Sequence, residues 1–277
     1  MASLSALGIG KKRTFIIAEG GINHNGTMKT ALRMIDAAKK AGADAIKFQT
    51  YITEKRVAKG SPIYGILKQC ELTANDMARL KKHADTVGII FFSTPFDTES
   101  VLLLKKLRVR LIKISSFDIV NEPLLKTAAS TGIPLIISRG MATKKEINRA
   151  VSICERMRAQ FALLHCVSAY PTPKAKVNLC AISTLRRLYP KVVIGYSDHT
   201  LDLDACVYAV ALGARILEKH FTLDRNMKGP DHALSADPKM LAELVSRVRE
   251  LEVMLGSGSI TSLPIEKATR QYRRVTR

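Results

Sequence analysis

The sequence predicts an α/β fold, specifically a (β/α)8 TIM barrel. Two observations carry this expectation. Eight short apolar runs recur along the chain, each ending in polar or charged side chains and each followed by a stretch with helical spacing. Strands buried on both faces read as unbroken apolar runs, and their alternation with helices implies a parallel sheet. The second observation is length. The chain has 277 residues, and such barrels commonly run to about 250 residues as one domain. Active sites of this fold gather at the C-terminal ends of the strands, so the end of each run is where chemistry is expected.

The expected strands are Thr14–Glu19, Ala43–Gln49, Gly88–Thr94, Val109–Ser116, Ile133–Ser138, Phe161–Cys166, Val192–Ser197 and Ala214–His220. Helical apolar spacing is clearest over Met28–Ala41, Lys144–Met157 and Lys239–Leu255. The strand ends carry Glu19, Lys47, Gln49, Lys113, His165, His199, Glu218 and His220. Polar groups converging on one barrel mouth are costly unless they bind something.

The first strand ends AEGGINHNG, placing Glu19, Asn23 and His24 within one glycine-rich turn. In AIKFQTY, side chains alternate along the strand, so Lys47 and Gln49 face the barrel axis and Phe48 faces the helices. Lys113 in LIKISSF repeats the arrangement, with Ser115 and Ser116 beyond it. Two inward lysines with serines suit a phosphate or carboxylate cradle; ion pairs to Glu19 or Glu218 are the structural alternative. IGYSDHT and LEKHFT place His199 and His220 on adjacent strand ends. Two imidazoles there suit a divalent first-row metal such as Mn²⁺, Fe²⁺ or Zn²⁺, with Asp198 as a candidate partner behind them. KGPDHALS then supplies Asp231 and His232 on a turn able to swing over the mouth.

Composition narrows the function classes. Hydrophobic content is 47%, and no apolar run reaches the ~18 residues a membrane span needs. The N-terminus MASLSALGIGKKR has no basic region ahead of its apolar stretch, so no signal peptide is expected. Five cysteines without a CxxC pair fit free thiols in a reducing cytoplasm. The net charge of +20 has three readings: a nucleic-acid surface, steering of an anionic substrate, or solvated helix faces with a basic tail. The basic residues are spread over helices without aromatic interleaving, which disfavours nucleic acid. ITSLPIEKATRQYRRVTR reads as a linker or tail.

Taken together, AEGGINHNG, IKFQTY, FFSTPFD, IKISSFD, LHCVSAYPTP, IGYSDHT and ALGARILEKHFTLDR…KGPDHALS resemble the sialic acid synthase family, the phosphoenolpyruvate-dependent nonulosonic acid synthases. The motifs occur in family order from about Phe15 to Gly258. The resemblance implies condensation of phosphoenolpyruvate with an N-acetylated hexosamine to a nine-carbon 2-keto acid, releasing phosphate. It makes His199 and His220 ligands of a divalent metal, Mn²⁺ first, with Mg²⁺ or Co²⁺ as alternatives. Glu19 matches the catalytic acid/base. Lys47, Gln49, Thr94, Lys113, Ser116, Ser138 and Ser197 match positions that hold substrate, chiefly phosphoenolpyruvate, and Tyr170 and Asp231 match positions facing the sugar.

The resemblance further implies a cytoplasmic homodimer. Three departures stand out. Ser168 replaces an Asn, and Arg139 replaces the Thr of a Ser-Thr-Gly-Met motif, adding a cation expected at the mouth. Family members also add a small C-terminal domain resembling antifreeze proteins. The expected organisation here is a synthase barrel over residues 1–258 and a basic linker or tail over 259–277, with that domain absent. The competing readings are a non-catalytic or regulatory barrel that binds the same ligands, and a phosphoenolpyruvate aldol-type synthase acting on a sugar phosphate.

Overall fold

A computed structural model describes residues 3–274. Eight parallel strands close into a barrel in chain order: β1 (Phe15–Gly21), β2 (Ala45–Thr50), β3 (Ile90–Pro95), β4 (Ile112–Ile114), β5 (Leu135–Ser138), β6 (Phe161–His165), β7 (Val193–Asp198) and β8 (Ile216–His220). The last strand pairs back on the first, with Glu19 opposite His220. The crossovers carry α1 (Met28–Lys40), α2 (Thr53–Arg56), α3 (Tyr64–Gln69), α4 (Ala74–Val87), α5 (Thr98–Lys106), α6 (Glu122–Ser130), α7 (Lys144–Arg156), α8 (Cys180–Leu188) and α9 (Asp204–Ala211), and α10 (Pro238–Leu255) follows β8. The expected TIM barrel is therefore the observed fold.

β4 is shorter than the apolar run Val109–Ser116 suggested. Its end is taken by a tight turn, in which Asp118 N donates to Ser115 O at 3.1 Å and Ser115 Oγ to Asp118 Oδ2 at 2.6 Å. Local side-chain bonding of this kind competes with the ladder. Helix starts follow their sequence signals. Thr73 with Asp76, and Thr143 with Glu146, form capping boxes on α4 and α7.

Strand alternation builds two apolar layers. Ile16, Ala18, Ile46, Phe48, Ile114, Ile137, Leu163 and Leu217 face outward and pack with helix residues such as Met34, Leu80 and Leu125. Phe15, Ile17, Ala45, Phe92, Leu111, Ile136, Leu164 and Ile216 fill the inside, joined by Leu4, Leu7 and Ile9 of the N-terminal segment. Each inner column changes character toward the C-terminal end: Ile17 is followed inward by Glu19, Ala45 by Lys47, Leu111 by Lys113, Ile136 by Ser138 and Ile216 by Glu218. An apolar plug thus seals the lower half, and charges occupy the upper half, where low polarity strengthens their interactions.

The inner wall is closely packed at Gly195. A Cβ there would lie 2.5 Å from Leu164 Cδ2 and 2.6 Å from the Ile216 carbonyl oxygen. Gly195→Ala is expected to lower stability by at least about 1–3 kcal/mol by forcing β7 from its neighbours, read as a lower denaturant midpoint. Residues 259–274 are exposed and carry two short 3-10 turns, Pro264–Glu266 and Arg270–Tyr272. The remainder of the expected tail, 275–277, lies outside the described residues. No helix among the described residues is long and apolar enough to cross a membrane.

Candidate active site

One pocket opens at the C-terminal ends of the strands. Its lining contains twelve of the residues expected there: Glu19, Lys47, Gln49, Thr94, Lys113, Ser116, Ser138, Tyr170, Ser197, His199, His220 and Asp231. Alternation explains the convergence for those on strands, because each lies two positions beyond another inward-facing residue.

At the base sits a cluster of two lysines and two carboxylates. Lys47 Nζ contacts Glu19 Oε2 directly, lies 3.9 Å from Glu218 Oε2 and donates to Thr94 Oγ1 at 2.9 Å. Lys113 Nζ lies 4.0 Å from Glu218 Oε1 and donates to Ser138 Oγ at 2.6 Å and to its neighbour's carbonyl, Ile114 O, at 3.0 Å. Ser197 Oγ donates to Glu218 Oε1 at 3.0 Å. All four charged side chains are buried.

The carboxylates are pushed apart in acidity. Burial raises Glu19 to about 7, Lys47 pulling against this and Glu218 adding to it. Burial acts on Glu218 too, but Lys113, Lys47 and the Ser197 hydroxyl outweigh it and hold Glu218 below the usual carboxylate range. One carboxyl therefore stays ionised and anchors the lysines, while the other titrates near neutrality. Such a split assigns a proton carrier. Burial also lowers Lys113.

Beside this base, Ser116 Oγ accepts from Gly140 N at 3.0 Å and lies 3.0 Å from Cys166 Sγ. A Cβ at position 140 would fall 2.7 Å from Ser116 Oγ and 2.4 Å from Ser168 Oγ. Only glycine lets the backbone N–H reach that hydroxyl.

Above the cluster, the His199 and His220 rings are 5.4 Å apart, and the Tyr170 ring stacks 4.1 Å from His199. His199 Nδ1 bonds the Val167 carbonyl at 2.7 Å, which turns its Nε2 lone pair toward the pocket. His220 Nδ1 is buried without a hydrogen-bond partner, and Asp231 Oδ2 lies 3.8 Å away. Burial lowers both imidazoles, His220 well below its ordinary value, with His199 and the lysines adding to the effect there. Neutral rings with free lone pairs suit a divalent cation. Among the described residues no group of three His, Cys, Asp or Glu side chains is arranged to hold a metal, so the protein's share would be these two rings.

Other expectations are corrected by the same alternation that turns the strand residues inward. His165 follows inward Leu164 and so faces outward, bonded to the Val177 carbonyl at 2.8 Å and to Arg139 Nη2 at 2.5 Å. Arg139 follows inward Ser138; it turns away from the mouth into an outer groove beside Lys144 and Asn178. Asp198 follows inward Ser197. It backs not His199 but Lys219, at 2.6 Å, together with the Tyr196 hydroxyl at 2.8 Å.

The first loop is scaffold. Asn23 Nδ2 donates to Phe221 O and Ser235 Oγ, both at 2.9 Å, and His24 is buried near Phe48. His232 ties Thr222 at 2.7 Å to Asn25 at 3.2 Å.

Glu218 and Ser115, expected near the mouth, also line the pocket, and the structure adds Cys166, Arg56, Phe96 and Phe117. Cys166 is within reach of the alternation rule, lying two residues beyond the inward Leu164. Arg56, Phe96 and Phe117 stand on loops or helix ends, where no period marks direction.

The model of the NeuB family matches residues 34–260. An uncharacterized protein of Methanocaldococcus jannaschii is 49% identical over 255 residues, covering 92% of this chain and 75% of that protein. N,N'-diacetyllegionaminic acid synthase of Legionella pneumophila is 40% identical over 280 residues, covering 93% and 78%. Among solved structures, the sialic acid synthetase of Leptospira borgpetersenii in complex with citrate superposes with a TM-score of 0.93 at 43% identity, covering 96% of this chain and 93% of that one.

Proposed function

The chain belongs to the NeuB family, and from that premise we propose that it joins phosphoenolpyruvate to an open-chain N-acetylated hexosamine. The products are a nine-carbon 2-keto acid and inorganic phosphate. The observation that carries this reading is the buried cluster of Glu19, Lys47, Lys113 and Glu218 directly beneath two neutral imidazoles.

In this reading Lys47 and Lys113, with Ser116 and Ser138, hold the phosphate and carboxylate of phosphoenolpyruvate. Ser197 and Thr94 fix the groups that hold it. A divalent cation on His199 and His220, Mn²⁺ with Mg²⁺ or Co²⁺ as alternatives, would supply Lewis-acid polarisation of the aldehyde. Tyr170 and Asp231 position the sugar beside the imidazoles, and the aromatic ring excludes water from them. As C3 of phosphoenolpyruvate bonds to the aldehyde carbon, protonated Glu19 gives its proton to the developing alkoxide. Ionised Glu19 then takes a proton from the water that adds at C2, and C–O cleavage releases phosphate. Lys47 and Lys113 neutralise the charge that departs.

The direct test is phosphate release from phosphoenolpyruvate with Mn²⁺ and a panel of N-acetylated hexosamines. Acceptor-dependent release is expected. Tight phosphoenolpyruvate binding with no release for any acceptor would favour a non-catalytic barrel. For the cation, calorimetry with Mn²⁺ is expected to show His220→Ala binding at least about 10-fold more weakly than the parent, on the scale by which disturbing a metal site shifts affinity. Equal Mn²⁺ affinity in the two proteins would remove these imidazoles from the metal site.

A further inference from the structure

Three cations line the pocket, and they are not equivalent. Lys47 and Lys113 each have a carboxylate within 4.0 Å. Among the described residues Arg56 has no ion pair, and its one side-chain hydrogen bond runs from Nη1 to Gln49 Oε1 at 2.9 Å. Asp118, Asp231 and Glu19 attract it only from a distance. Its carbon Cζ lies 3.6 Å from the Phe96 ring centroid and 4.6 Å from that of Tyr51. Two aromatic faces fix the guanidinium plane and are favourable to its charge, yet they consume none of its in-plane donors. A guanidinium has five N–H donors, so most of the fork stays available toward the pocket it lines.

Height within the barrel separates Arg56 from the lysines. Arg56 stands on α2, past the end of β2, and stacks on Tyr51 and Phe96, the first residues beyond β2 and β3, whereas the lysine ammoniums bond Thr94 and Ser138 within the strands. Phosphoenolpyruvate, in the reading above, fills the lysine level. The sugar lies above it, with its aldehyde at the imidazoles on β7 and β8. The fork on the β2 side therefore faces the part of the acceptor remote from the aldehyde. A preorganised planar fork without a protein anion is matched by an oxyanion on a ligand, which it can grip through two parallel hydrogen bonds.

We propose that Arg56 recognises an oxyanion at the far end of the acceptor sugar, so that the preferred acceptor is an anionic N-acetylated hexosamine rather than a neutral one. This rests on the synthase reading and deepens it. The oxyanion could be a phosphate ester or a sugar carboxylate. The test therefore compares N-acetylmannosamine, its 6-phosphate and N-acetylmannosaminuronic acid as acceptors, with phosphoenolpyruvate and Mn²⁺. The native protein is expected to favour one of the two anionic acceptors in kcat/KM by about 10–150-fold, the range of a charge-assisted contact. Which one is favoured names the oxyanion. Arg56→Met is expected to collapse that ratio, and Arg56→Lys to restore part of it, since an ammonium keeps the charge but not the fork.

Preference for the neutral sugar would overturn the proposal. So would an equal loss on all acceptors in Arg56→Met, the signature of a residue that only braces α2 against Phe96. If no acceptor yields phosphate, the synthase reading fails separately. Calorimetry of N-acetylmannosamine 6-phosphate and the uronic acid against native protein and Arg56→Met then still decides the assignment. A loss of at least about tenfold in affinity supports it, and unchanged affinity overturns it.

Discussion

Glu19→Gln is expected to lower kcat/KM by about 100- to 10,000-fold, the range of a lost general acid/base, and to erase an inflection near pH 7. The carboxyl titrates at about 7 because burial and Glu218 outweigh the pull of Lys47. The first bond-forming step requires the protonated form, so kcat/KM of the native protein should fall about tenfold per pH unit above the inflection. The glutamine variant should show no such limb. A stability change accompanies this. The folded value lies above the ordinary 4.5, so this carboxyl's favourable share is fully present below 4.5 and is lost as pH rises through 7. Glutamine does not titrate, and the variant's melting temperature relative to the native protein should therefore rise between pH 5 and pH 8. A pH profile identical in both proteins would show that Glu19 is not the proton carrier.

Lys113→Met should weaken phosphoenolpyruvate binding by about 10–150-fold and also destabilise the barrel by about 3–5 kcal/mol, because it strands a buried carboxylate. The sequence left an anion cradle and a structural ion pair as alternatives for the lysines. The geometry makes the ion pairs real, with Glu218 shared between Lys113 and Lys47, so a single substitution cannot separate the two roles. The double variant Lys113→Met with Glu218→Gln can. It removes the stranded charge, so most of the stability should return while phosphoenolpyruvate affinity stays low. Denaturant titration and calorimetry give the two readouts. Native-like affinity in the double variant would leave Lys113 a purely structural residue.

Much of the site was legible because a strand has a fixed period. Once AIKFQTY was read as a strand, Lys47 and Gln49 had to share one face and Phe48 the other. The same rule, applied to every strand, would have turned His165, Arg139 and Asp198 outward, since each directly follows an inward residue. The chemistry of a strand-end residue does not by itself carry this direction. The rule also sets Glu218, expected at the mouth and as an ion-pair partner, on the same face as His220, where it proves central to the cluster.

What the sequence determined by itself was the barrel, the order of its strands and the inward residues on them, because burial on both faces writes unbroken apolar runs and alternation writes direction. What only the tertiary structure decided was how those residues interact. The opposed acidities of Glu19 and Glu218 depend on which lysine each one meets, at distances of a few ångströms across different strands. The plug of Leu4, Leu7 and Ile9 and the stacking of Arg56 on Phe96 and Tyr51 belong to segments with no repeating period. Their positions are set by contacts with residues distant in the chain, and a linear sequence does not encode such contacts in its spacing.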